Sequence, residues 1–285
     1  MYILILLQQL ISSGTHVVSK DITAILPEEQ ILFFRAGIAC TIFTIWILYK
    51  GWHKQKFSRK EILTICLLGV LNIPANQYVF FKAVHLTTAP NVALAYALSP
   101  AFVLMISLFS GKERPDFGRM LGIAIAVVGS SVILFERGLD ISSDYFLGNM
   151  LGLLASLSWA VYTVVGKQIT LKFGAIFTTG ATMITGFLSF LPIFLLTPEA
   201  HHISNITPKA WAEIFYLGAI TSVIGYAIWF IALKKIDATK VSVFNNLQPV
   251  LTTILAMLFL GTQITLPFIL GGLLIIVGVV ITQRK

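Results

Sequence analysis

Polar residues are sparse along this chain and fall in clusters. Uninterrupted apolar runs occupy residues 2–20, 29–49, 62–81, 88–110, 117–135, 146–166, 173–196, 211–233, 239–260 and 264–282. Each run is about 20 residues long, enough for a helix to cross a hydrocarbon layer about 30 Å thick. A membrane barrel would show alternating segments of about ten residues instead. The pattern predicts an all-α polytopic membrane protein with ten transmembrane helices. Helix breakers punctuate the gaps: Pro27 before the second run, Gly111 to Pro115 after the fourth, Thr197-Pro198 after the seventh. The gap at 197–210 has room for a short interfacial segment, whereas only Gly261, Thr262 and Gln263 separate the last two runs. The first run lacks a basic leader and a clear cleavage site, so it reads as a span and not as a signal peptide.

Composition sharpens this picture. Of 285 residues only 11% are charged and 57% are hydrophobic. A soluble domain carries roughly 25% charge, so no room is left for a large soluble domain. Cys40 and Cys66 both lie in apolar runs, without a CxxC or a disulfide framework. The net charge of +8 would suggest nucleic acid on a soluble protein. Here the bases sit in short gaps, and no nucleic-acid partner is expected. With the N-terminus cytoplasmic, 15 of the 20 basic residues fall in inside loops, in the groups 50–60, 112–119, 167–172, 234–240 and 284–285. Only Lys20, Lys82, Arg137 and Lys209 fall outside, and Arg35 lies within a span. This bias predicts both termini on the inside of the cytoplasmic (inner) membrane.

The chain also repeats itself. At an offset of 149 residues, Gly69 meets Gly218, Ala83 meets Ala232, Ala89 meets Ala238, Pro100 meets Pro249, Gly122 meets Gly271 and Gly129 meets Gly278. The third to fifth spans fall on the eighth to tenth, and the earlier spans pair more loosely, with Lys20 near Lys167. This predicts two five-helix units, residues 1–140 and 141–285. An odd number of spans inverts the second unit in the membrane, the arrangement that supports alternating access.

Five stretches carry a family resemblance: PEEQILFFRAGIA at 27–39, VHLTTAPNVALAYALSPAFVLMISLF at 84–109, GRMLGIAIAVVGSSVIL at 118–134, the long segment at 217–261, and GGLLIIVGVVI at 271–281. With the duplication, the chain resembles a ten-span EamA-type member of the drug/metabolite transporter superfamily. The resemblance implies a basket of ten helices around a cavity lined mainly by the first, third, fourth, sixth, eighth and ninth. It also implies transport of amino acids or other metabolites, export being commoner. Family members often carry a Gly-Glu pair after the fourth and ninth spans; here the first is GKE at 111–113 and the second is GTQ at 261–263. No acidic role passes to Thr262 or Gln263.

Polar groups at membrane depth are costly unless they face a cavity or a partner. His16 in the first span is a candidate for solute binding or protonation, with neutral helix packing as the alternative. Arg35 matches the family's arginine in the second span and is read as a structural or gating clamp on helix-end carbonyls or on Glu28 and Glu29. Asn72, Asn76 and Tyr78, with Gln77, cluster beside Pro74 in the third span, where a bend could open onto a cavity. Asn91, Tyr96, Ser99 and Pro100 in the fourth span match Ser242, Asn245, Asn246, Gln248 and Pro249 in the ninth, as two broken polar helices. Trp159 and Tyr162 in the sixth span and Tyr226 and Trp229 in the eighth are candidate aromatic walls, with interfacial anchoring as the alternative.

The cavity set is therefore His16, Asn72, Asn76, Tyr78, Asn91, Tyr96, Trp159, Tyr162, Tyr226, Trp229, Asn245 and Asn246, with Arg35, Pro74, Pro100 and Pro249 structural. His201 and His202 lack ligand-spaced partners, so no metal site is expected, and no nucleotide or other cofactor motif is present. The expected function is secondary transport or uniport of small metabolites, foremost amino acids. Drug or nucleotide-related solutes are the nearest alternative, and a non-transporting scaffold is the alternative of another class. The expected partners are a small-molecule solute, protons in a coupled mechanism, and the lipid bilayer. The small-residue spacings GRMLG and GNMLG serve either internal packing in a monomer or a dimer contact.

Overall fold

A computed structural model of the chain describes residues 1–52, 55–109, 116–135, 142–201 and 206–283. The GKE triplet, Lys54, Lys112, Arg114, Arg137, His202, Arg284 and Lys285 lie outside the described residues. Among those described there is no strand. The helical rods are α1 (Tyr2–Ile22), α2 (Glu28–Tyr49), α3 (Arg59–Leu86), α4 (Ala89–Ala97, then Ser99–Phe109), α5 (Phe117–Leu134), α6 (Asp144–Phe173), α7 (Ala175–Leu195), α8 (Pro208–Lys235), α9 (Ala238–Leu260) and α10 (Leu266–Gln283). Eight of them, α1 to α4 and α6 to α9, are long and apolar enough to cross a membrane, and α5 and α10 contain shorter apolar stretches. The chain is a multi-pass membrane protein.

The sequence marks its own helix ends. Ser58 accepts from the Glu61 amide while Glu61 accepts from the Ser58 amide, a reciprocal capping box that starts α3. Thr88, Ser143 and Thr207 cap α4, α6 and α8 in the same donor-satisfying way, with Pro208 in the first turn of α8. Gly261 closes α9 in the left-handed region at φ 62°. That geometry is what lets so short a turn lead into α10.

Four rods are irregular in the middle. α3 widens to a π-helix at Ile73–Tyr78 and α8 at Tyr216–Gly225. α4 breaks at Leu98, and α9 passes through a 3₁₀ turn at Val243–Asn246 before Leu247. Leu98 and Leu247 are themselves 149 residues apart. Pro74 sits at the start of the π segment of α3, and Pro100 and Pro249 sit in the first turn after their breaks. A missing N–H costs little in a first turn.

Helix packing follows the same repeat. α2 and α7 run antiparallel: Phe33 stacks on Phe194 with ring centroids 4.0 Å apart, while Gly180 lies against Phe43 further along. α5 and α10 also run antiparallel, at backbone contact. A Cβ on Gly129 would stand 2.7 Å from the Gly271 carbonyl oxygen, and one on Gly278 would stand 2.6 Å from that of Gly122. Exchanging residues 149 apart turns the first contact into the second. Likewise Gly69 of α3 abuts Gly186 of α7, and Gly218 of α8 abuts Arg35 and Ile38 of α2. Lys20 donates to the Val84 and His85 carbonyls at the end of α3, each at 2.9 Å. Lys167 donates to the Ile236 carbonyl at the end of α8 at 3.0 Å.

A methyl group at Gly278 has nowhere to go, because its nearest neighbours are the backbone nitrogen and Cβ of Ala126 and the Gly122 carbonyl oxygen, none of which can swing aside. Gly278→Ala should separate α5 from α10 and cost about 1–3 kcal/mol of stability. Thermal unfolding of the detergent-solubilised variant checks this, and an unchanged melting temperature would refute the close approach.

Candidate functional site

The interior of the bundle holds a cavity of about 500 Å³, counting its open mouth. Seven rods contribute: Gln8, Ser12, Thr15 and His16 from α1, Arg35 from α2, Asn76, Gln77 and Phe80 from α3, Tyr96 from α4, Trp159 from α6, Thr221, Gly225 and Tyr226 from α8, and Gln248 from α9.

α1 shows how sequence produces this wall. Residues 8, 12, 15 and 16 follow the i, i+4, i+7, i+8 spacing of one helix face. Ile3, Leu6, Leu7 and Leu10 occupy the other face and are exposed, as suits contact with lipid. The polar face is locked internally. Gln8 Nε2 donates to Ser12 Oγ at 2.8 Å, and Thr15 Oγ1 lies 2.8 Å from Thr221 Oγ1 of α8. His16 is 3% exposed. Its Nε2 lies 3.3 Å from Gln248 Oε1 of α9, its ring meets Phe80 and Tyr96 edge-on, and its Nδ1 has no partner.

The two π segments deliver further polar groups. In α3, Asn76 Nδ2 donates to Tyr96 Oη at 2.6 Å and to the Ala155 carbonyl at 2.7 Å. Gln77 Nε2 donates to Asn72 Oδ1 at 3.1 Å, leaving Gln77 Oε1 unbonded. In α8, Ser222 Oγ donates to the Leu217 carbonyl five residues back. The same oxygen accepts from Arg35 Nε at 2.9 Å. π-Bulges recur at functional sites because the extra residue re-aims side chains.

Arg35 is 2% exposed, and its guanidinium carbon lies 5.4 Å from the Phe81 ring centroid. Neither Nη group bonds another described residue. The expected clamp on Glu28 or Glu29 is not what the structure shows. Lys82 pairs with Glu28 at 3.3 Å and Glu29 at 3.1 Å, His85 Nδ1 lies 2.9 Å from Glu28, and Tyr78 donates to Glu29. Arg35 lines the cavity instead, because the π segment of α8 holds its Nε inward.

Of the twelve expected cavity residues, His16, Asn76, Tyr96, Trp159 and Tyr226 line it. Trp159 packs on Tyr226 with centroids 5.2 Å apart, near perpendicular. Trp229 and Tyr162 form a layer behind: Trp229 Nε1 donates to Thr163 Oγ1 at 3.2 Å, and Tyr162 Oη lies 2.8 Å from Thr182 Oγ1. Asn72 also stands behind, holding Gln77. Tyr78 points away, toward Glu29, because residues two apart lie on nearly opposite faces of a helix. Asn91 joins Tyr145 and Asn149 where α4 meets α6, away from the cavity, with bonds of 2.7 and 3.1 Å. Asn245 Oδ1 accepts from Gln9 at 3.2 Å and Gln248 at 3.3 Å, so it belongs to an amide network between α1 and α9, and neither it nor Asn246 is a cavity wall. The residues missed from the expected set were Gln8, Ser12, Thr15, Gln77, Phe80, Thr221, Gly225 and Gln248. The polar stripe on α1 was the signal for the first three.

This fold and this interior chamber define a helical multi-pass membrane protein with a polar and aromatic cavity inside its bundle. The chain belongs to the EamA-like transporter family, whose model matches residues 1–135 and 146–284. It is 26% identical over 280 residues to the uncharacterized transporter YyaM of Bacillus subtilis, covering 98% of this chain and 92% of that one. It is 27% identical over 285 residues to an uncharacterized transporter of Archaeoglobus fulgidus, covering 100% and 97%. A crystal structure of another protein, at 20% identity, superposes with a TM-score of 0.69 over 99% of this chain and 96% of that one, a likeness of fold alone.

Tyr96→Phe removes one of the two acceptors of the Asn76 amide. The expected loss is about 0.5–1.5 kcal/mol, read by thermal unfolding of the purified protein. No loss would mean that the Tyr96 hydroxyl does not hold Asn76.

Proposed function

We propose that this protein is a secondary transporter of small metabolites, amino acids foremost, working by alternating access with export as the preferred direction. The observation that carries this reading is the central cavity itself. It is walled by polar and aromatic side chains and bounded by irregular helices, of which the breaks at Leu98 and Leu247 lie 149 residues apart. A scaffold has no use for such a chamber. Equivalent helices in the pairs α2/α7 and α5/α10 run antiparallel, which supports two inverted units of five spans each. Exchange of conformation between two such units opens the chamber to alternate sides. The charge bias supports both termini in the cytoplasm. Direction and the amino-acid class rest on family resemblance. Drug and nucleotide-related solutes are the alternative.

Reconstitution into liposomes with a panel of radiolabelled amino acids tests the proposal. Saturable counterflow is expected, and Trp159→Ala should reduce it about tenfold through loss of ring contact. An absence of flux in both directions, with and without a pH gradient, would remove the amino-acid reading.

His16 supplies a second test. Imidazole is the side chain that ordinarily titrates near physiological pH, and among the lining residues His16 is the one that carries it, facing the cation Arg35 and the phenol Tyr96. For proton-coupled exchange, His16→Gln should flatten the dependence of flux on pH. An unchanged profile would assign His16 to packing alone and favour uniport.

A further inference from the structure

We infer that Arg35 is the docking point for a carboxylate, so that the cavity selects solutes with an acid group on an apolar or aromatic body and rejects amines lacking the acid. This rests on the transport reading above and gives it a substrate class.

Three observations converge. The guanidinium is buried and lines the cavity, yet only its Nε is bonded, to Ser222. Both Nη groups have no partner among the described residues. They form the planar fork that matches a carboxylate with two parallel hydrogen bonds. Second, the cavity lining contains no Asp or Glu. The nearby carboxylates of Glu28 and Glu29 are occupied by Lys82, His85 and Tyr78. A buried cation without a counter-ion is a costly arrangement, and an incoming carboxylate would satisfy it. Third, the fork cannot easily turn away. Phe81 covers its face, and Ser222 is itself anchored to the Leu217 carbonyl.

The rest of the wall fits such a molecule. Trp159, Tyr226 and Phe80 offer ring surface for the body of the solute. Gln77 Oε1 is a buried acceptor without a donor and suits an ammonium N–H, although an amine is not required by the charge balance. The cavity carries one fixed positive charge, so a zwitterion or a monocarboxylate fits it better than a cation.

The test is equilibrium binding to the full-length protein in detergent, read by thermal shift and by isothermal calorimetry. The probes are phenylalanine, 3-phenylpropionate, phenylalaninamide and phenylethylamine, with the matching leucine set. The two acids of each set should bind, and the amide and the amine should bind about 10- to 100-fold more weakly, the worth of charge-assisted bonds. Arg35→Gln should erase the preference for the acids, and Arg35→Lys should recover part of it. Equal binding of acid and amine, undiminished acid binding by Arg35→Gln, or no binding by any probe would each overturn the inference. If Arg35→Gln does not fold, the wild-type preference decides, with Ser222→Ala expected to weaken acid binding selectively. Acid-selective binding without liposome flux would preserve the anchor and defeat transport. Flux that ignores the acid group would preserve transport and defeat the anchor.

Discussion

An unbonded backbone amide or carbonyl in hydrocarbon costs several kcal/mol, and every irregular stretch within these spanning rods bears the mark of that constraint. The break in α4 at Leu98 is buried, and the π segments of α3 and α8 and the 3₁₀ turn in α9 each turn buried polar residues such as Asn76, Thr221 and Asn245 toward neighbouring helices. Where the chain faces outward, as at Ile3, Leu6, Leu7 and Leu10 of α1, the helix is regular and apolar. The same rule that forces helices on the chain therefore concentrates its departures from helix at the centre. Those departures are what aim Asn76, Gln77, Thr221 and Tyr226 at one space, and what fix Arg35 through Ser222. The cavity is in this sense a consequence of where irregular backbone can be tolerated.

Charge obeys a related partition. At the end of the bundle where α1 meets α2 and α3 meets α4, acids and bases are matched. Lys82 pairs with Glu28 and Glu29, and Lys209 pairs with Asp21 and Glu213. At the opposite end Lys172 pairs with Glu61. Partly exposed pairs of this kind contribute little stability each, but they knit helix ends across the bundle. In the interior the matching stops, since no acid among the described residues pairs with Arg35. Evolution could have completed that pair with one carboxylate on α3 or α8. Leaving it open preserves a binding group that a fixed partner would have consumed.

The architecture was legible in the sequence because its causes are collective. Apolar run length is a sum over many residues, and the observed rods follow the expected runs closely. Helix breaks were also legible through Pro74, Pro100 and Pro249. The site was only half legible, because it depends on rotation about each helix axis. Tyr78 and Asn76 are two residues apart, a spacing that puts them on nearly opposite faces of any helix, so one points outward and the other in. Asn91 and Asn245 looked equivalent to true wall residues by depth, yet each is consumed by neighbours that only the packing reveals. Conversely, Gln8, Ser12 and Thr15 formed a readable stripe, and their modest polarity concealed it beside the more conspicuous His16. Arg35 was expected to find Glu28 or Glu29 by proximity in sequence; the helix carries those acids to its first turn, where Lys82 and His85 arrive from α3 instead.

The helix breaks at Leu98 and Leu247 and the glycine contacts between α5 and α10 recur at the 149-residue offset, but the side chains differ where the cavity forms. Tyr96 lines the cavity and accepts from Asn76, while its equivalent Asn245 lies in an amide network with Gln9 and Gln248. Arg35 has no counterpart at all, since α7 from Ala175 to Leu195 contains no charged residue. A symmetric cavity with two equal anchors would suit a symmetric ligand or two ligands. One cation on one side, with Trp159 and Tyr226 supplied by the other half, makes a site with a head and a tail. A molecule held between that cation and those rings would take one orientation, because each contact occurs once in the cavity lining.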